Sequence, residues 1–143
     1  MAEFEYDEVI LHIKRIEKAT AEVLVKSHLT VEKTGHNTVA YAQNLAPVDT
    51  GNLRASIGVD FDDDGLGFEA GPTAEYGDTV EYGGRPHVIR PREKKALSWP
   101  DAEHPVKKVN HPGTAPQPYM RPGFDRATRE FDTAIDAIVR DAF

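Results

Sequence analysis

From Asp7 to Leu45 the chain contains no proline and a single glycine, Gly35. Proline removes a backbone donor and clashes with the preceding turn, so a run this long without one is free to be helical throughout. Steps of three or four residues pick out Val9, Ile13, Ile16, Thr20, Val23, Ser27, Val31, Thr34, Thr38, Ala42 and Leu45. That is a continuous stripe of helical period, polar or small in its middle. Ile10, Leu24 and Tyr41 widen it in places, and Glu17, Lys18, Glu22 and Lys26 offer i,i+4 pairs on an exposed face. Unbroken, a helix over about 7–45 spans roughly 57 Å, whereas a compact chain of this length is roughly 30 Å wide. Its ends must project or find a partner. The alternative is two helices broken near Gly35.

Pro47 ends this helix by pushing Ala46 out of helical geometry. Asp49-Thr50-Gly51 then supplies turn chemistry, with oxygens to cap backbone donors and a glycine for positive φ. Leu53 to Phe61 reads as a strand, Asp62-Asp63-Asp64-Gly65 as an acidic turn, and Leu66 to Gly71 as the returning strand. The triple aspartate lacks the alternating spacing and downstream glutamate of a calcium loop. Ala74 to Gly84 fits one helical turn or an extended piece, with Glu81 a buried or half-buried carboxylate before a tight turn.

His87–Arg90 and Ala96–Trp99 are brief apolar runs on either side of a basic segment, a plausible second hairpin, and Val106 to Val109 makes a further short strand. Trp99 suits a core or an interface. Alternatively, 85–118 is an extended arm toward a neighbouring subunit, because eight of the ten prolines lie between Pro86 and Pro122 and stiffen it. Pro122 opens a final amphipathic helix over about 122–142, carried by Phe124, Phe131, Ile135, Ile138 and Val139. These elements predict an α+β fold: a long N-terminal and a C-terminal helix packed on a small, mostly antiparallel sheet. At 143 residues the whole of 1–143 reads as one domain, with its β-region over about 53–110.

Composition narrows the function. Apolar residues are 39% of the chain and there is no cysteine, so neither disulfides nor thiolate chemistry is available. Mean hydropathy is −0.53. The acidic N-terminus lacks the apolar run of a secretory signal, and no stretch suits a membrane span. Net charge is −7, divided as −10 over residues 1–82 and +3 over 83–143, with +5 concentrated in 83–121. Either these are solvated faces, or the acidic surface of one copy meets the basic surface of the next. An acidic chain is a poor match to the usual duplex-DNA footprint. His87, His104 and His111 stand 17 and 7 residues apart and match no zinc pattern; His111 fits a turn-fixing role. No nucleophile elbow, phosphate loop or dinucleotide glycine pattern occurs, and Glu81 has no nucleophile beside it. No enzyme, cofactor or metal is expected.

Two punctuated motifs remain: APVDTGNLRASI (46–57) and HPGTAPQPYMRPGFD (111–125), with VEYGG (80–84) between them. In this order, after a long helix, they resemble the head–tail joining family of long-tailed DNA bacteriophages, also called neck, tail-completion or minor tail component proteins. Pro47, Asp49, Thr50, Gly51, Leu53 and Ser56 match its first motif, Glu81 and Gly83 its second, and Pro118, Arg121 and Pro122 its third. A long insertion at about 85–110 departs from the pattern. The resemblance implies a structural virion protein made in the host cytoplasm. It implies a hexameric or dodecameric ring in the neck, between the head adaptor or portal and the tail terminator or tail tube. DNA would pass through an acidic lumen without specific binding. The motif residues are then interface candidates. So are Arg85, Arg90, Arg92, Lys94, Lys95, Trp99, Lys107 and Lys108 of the basic arm. A tail terminator and a small nucleic-acid-binding module using these bases are the rival readings.

Overall fold

The computed structural model describes residues 6–91 and 107–143. A helix α1 (Tyr6–Leu45) runs its full 40 residues without a break, roughly 60 Å, so Gly35 does not divide it. Instead Gly35 is buried where Phe61 and Val59 pack onto the helix. The Lys18–Glu22 and Glu22–Lys26 spacings do not close into ion pairs; among the described residues the closed pair is Arg126–Glu130, at 3.7 Å.

After the turn at 46–51 comes a short helix α2 (Asn52–Ser56), not the strand expected from Leu53. Gly51, at φ 84, reverses the chain, and the Thr50 hydroxyl accepts from the Asn52 N–H at 3.4 Å. Ser56 Oγ then donates back to the Leu53 carbonyl at 2.8 Å, closing the turn before the chain becomes extended. Strand β1 (Ile57–Phe61) therefore starts four residues later than expected. It pairs antiparallel with β2 (Phe68–Pro72), Val59 opposite Ala70 and Phe61 opposite Phe68. In the connecting turn the Asp64 side chain accepts from the Leu66 N–H at 2.9 Å, so one of the three aspartates serves as a turn cap.

The 74–84 segment holds the helical alternative, as α3 (Gly77–Tyr82). The second hairpin differs from expectation. Strand β3 (His87–Ile89) pairs with β4 (Val109–His111), bringing His87 opposite His111 with their rings stacked at 4.9 Å. Among the described residues its partner is β4, whose strand begins at Val109; the Ala96–Trp99 run, expected as the other strand of this hairpin, lies outside the described residues. The fold is α+β, and among the described residues its strands form two separate antiparallel pairs instead of one sheet.

The last helix, α4 (Met120–Ala142), starts two residues before Pro122. It runs antiparallel along α1, with Gly123 against Ala42 and Glu130 against Asn37 and Tyr41. The Tyr41 hydroxyl donates to both Glu130 oxygens, at 2.6 and 2.8 Å, and the Arg126 guanidinium lies 4.0 Å over the Tyr41 ring. That hydrogen bond to Glu130 raises the Tyr41 phenol above its ordinary value. On the other side a chain of tilted rings, His36, Phe61, Phe68 and Phe124, ties α1 through the first hairpin to α4. The core is small: Ala42, Ala46, Leu53, Ile57 and Tyr119, flanked by Val39, Ala74, Val80 and Met120.

The core occupies one end of the molecule. Counting equal rise back from the Gly123–Ala42 contact, α4 runs out opposite about residue 23 of α1. Buried residues of α1 fall only from Val31 to Ala42, whereas Val9, Ile13, Ile16 and Leu24 are 43–50% exposed. The apolar stripe therefore continues along the same face past the end of the helix that covers it.

At Gly123, an added Cβ would lie 2.9 Å from the Ala42 backbone nitrogen. Gly123→Val should force α1 and α4 apart and lower unfolding stability by about 2–3 kcal/mol. Gly58→Ala, where nothing lies within 4 Å of the new carbon, should change it far less; chemical denaturation of both variants checks this.

Candidate functional site

The three motifs meet at the end of the molecule where the core lies. The first four N–H groups of a helix have no partner within it and carry the positive end of its dipole. At the start of α4 the Glu81 side chain meets that need from α3. Its Oε2 accepts from the Tyr119 and Met120 N–H groups at 2.8 and 2.9 Å, and its Oε1 from the Arg121 N–H at 3.0 Å. The next residue is Pro122, which has no N–H to satisfy. Glu81 is 6% exposed, so these are buried, charge-assisted bonds.

Further bonds fasten the same two segments. Gly84 and Thr114 exchange backbone bonds of 2.9 Å each way, and the Gln117 N–H donates to the Val80 carbonyl at 2.7 Å. Gly83 has φ 79, and a side chain there would meet the Thr114 oxygen at 2.7 Å, so glycine is required on both counts. His111 Nδ1 accepts from the Gly113 N–H at 3.0 Å, the turn-fixing role expected of it. Tyr119 is wholly enclosed and donates its hydroxyl to the Gly77 carbonyl at 3.1 Å. Burial, and then the nearby Glu81 charge, push its phenol from 10.0 up to about 12.

The first motif faces this lock across an open cleft of about 310 Å³, bordered by Pro47, Val48, Leu53, Tyr76, Val80 and Gln117. Leu53 enters the core, and Ser56 bonds within its own turn. Of the other motif residues, Asp49, Thr50, Pro118, Arg121 and Pro122 are exposed, while Pro47, Gly51 and Gly83 are half-buried. Leu53 and Glu81 are enclosed by their own chain. Arg85, Arg90, Lys107 and Lys108 are exposed around the β3–β4 ribbon, and Arg92, Lys94, Lys95 and Trp99 lie outside the described residues. Sequence reasoning missed Tyr119, although an aromatic between Pro118 and a helix start was a usable signal. It also missed the Tyr41–Glu130–Arg126 cluster, in which Tyr41 stands 85 and 89 residues from the i,i+4 pair Arg126–Glu130, a separation that leaves no local pattern.

The Thr50, Ser56, Glu81, His111 and Tyr119 side chains of this corner all bond to backbone, an arrangement that joins segments. Its order of elements is that of a known class. The family described as "Bacteriophage HK97-gp10, putative tail-component" matches residues 12–83, half of the chain, from the early turns of α1 to Gly83. The chain belongs to this HK97-gp10-like family of phage tail components. A tail component is part of the virion, and membership implies a structural, non-enzymatic role. No curated protein and no solved structure matches the chain. No helix among the described residues is long and apolar enough to cross a membrane.

Two measurements test the lock. Glu81→Ala leaves three N–H groups without an acceptor and should lower stability by about 3 kcal/mol or more. Glu81→Gln, which turns an amide donor toward one of them, should fall between; denaturation and amide exchange in the first turn of α4 read both. Because the folded chain holds the Tyr119 proton more tightly than the unfolded chain, its contribution is full below pH 10 and is lost as pH rises from 10.0 to about 12. Tyr119→Phe should remove that part of the alkaline stability loss, followed by tyrosinate absorbance alongside unfolding.

Proposed function

We propose that the chain is a neck protein: copies of it form a ring that joins the DNA-filled head to the tail and lets DNA pass. The observation that carries this reading is the bare overhang of α1, roughly 25 Å of helix whose apolar face runs on from the core face but has no cover among the described residues. A surface of this kind belongs in contact with other protein. Membership of a phage tail-component family supports the virion as the setting of that contact. The motif corner is the rigid base from which the overhang and the β3–β4 ribbon project toward neighbouring copies, the head adaptor or portal, and the tail. The acidic excess of residues 1–82 suits a lumen that repels phosphate, so DNA slides through without binding. No reaction is assigned to the protein.

A tail terminator would share the ring and the fold, and the phenotype of loss separates the two. Infection without this protein should accumulate filled heads and complete tails that remain apart, and added purified protein should join them. Tails of uncontrolled length would assign it to the terminator instead. Particles that assemble normally without it would overturn both.

A further inference from the structure

The outward face of the β1–β2 hairpin carries an unfavourable arrangement. Asp60 stands directly opposite Glu69 across the strands, both exposed, and like charges in facing cross-strand positions destabilise a hairpin. Among the described residues neither is in an ion pair. Beside them on the same face Gly58 faces Gly71, with open space where either side chain would be. The result is a flat strip of bare backbone ending in a pair of carboxylates.

The β3–β4 ribbon carries the opposite arrangement. Continuing its register one residue beyond Ile89↔Val109 sets Arg90 beside Lys108, both exposed, with the exposed Lys107 next in the chain. A two-stranded ribbon is marginal by itself in water, and this one joins the body through the Gly84–Thr114 bridge. One face of it is open, with Val88 50% exposed.

We propose that the β3–β4 ribbon of one copy docks on the outward face of the β1–β2 hairpin of the next, Arg90 and Lys108 meeting Asp60 and Glu69 over the Gly58–Gly71 strip. Each like-charge pair costs stability alone and is the complement of the other, and opposite patches on one chain give a head-to-tail contact that can close a ring. This inference rests on the ring reading and specifies two of its faces.

Charge exchange tests it. At low ionic strength the wild-type protein should self-associate, measured by sedimentation, and salt should weaken the association. Asp60→Lys/Glu69→Lys and Arg90→Glu/Lys108→Glu should each associate at least about tenfold more weakly. An equimolar mixture of the two should recover, since every contact in an alternating ring is again between opposite charges. Asp60→Asn/Glu69→Gln should melt at a higher temperature than wild type yet associate more weakly, a split that a purely structural role would not produce. A mixture that fails to recover, or a wild-type protein monomeric at every concentration in low salt, overturns the inference. So does a ribbon variant that loses only affinity for duplex DNA. Imaging keeps the two readings apart: variants that occupy particle necks as wild type does discard these faces and leave the ring, whereas wild-type protein absent from the neck discards the ring.

Discussion

The structure depends on one carboxylate. Glu81 comes from a helix of six residues that could not hold its position alone, and it supplies the missing acceptors at the start of a helix of 23. The two stabilise each other: α4 begins at Met120 because its first donors are satisfied there, and α3 is anchored because its one buried charge has partners. Tyr119 adds a second tie in the opposite direction, from the start of α4 back to Gly77 at the start of α3. With α4 oriented, its small residues Gly123 and Ala127 can approach α1 closely. The segment between Gly84 and Thr114 is closed at its base by their paired backbone bonds.

This division explains how a modest core supports so long a helix. The buried half of α1 is held by α4, by the hairpin rings and by the polar cluster around Glu130. The other half receives none of this, although its stripe keeps the same phase. Threonines at 20, 30, 34 and 38 return their hydroxyls to the carbonyl four residues back, which lets polar residues occupy the helix without leaving donors open. The chain is thus a fixed corner with a projecting rod and a projecting ribbon, and its family places that shape in a phage tail assembly.

Much of the architecture was legible because it rests on local rules. The absence of proline from 7 to 45 implied α1, Pro47 its end, and the aspartate–glycine turn the first hairpin. Strand starts were less legible, and for a specific reason. Leu53 to Phe61 is apolar enough for a strand, yet Thr50, Gly51 and Ser56 make their bonds to a helical turn first. The pairing of β3 with β4, twenty residues apart, has no local signature. For the motif corner, the residues that matter were visible but their roles were not. Glu81 and Arg121 are 40 apart in the chain, and no periodicity reveals that one accepts the backbone proton of the other.

The central claim is that the motifs hold the fold while the overhang and the ribbon make the assembly. Amide hydrogen exchange, compared between free protein and protein joined to phage particles, tests it most directly. The account predicts that 46–57, 77–84 and 113–123 are already protected in the free protein. Protection should be gained on assembly in α1 before about residue 23 and in β3–β4. Motif segments that become protected only on the particle, with the α1 overhang unchanged, would contradict it.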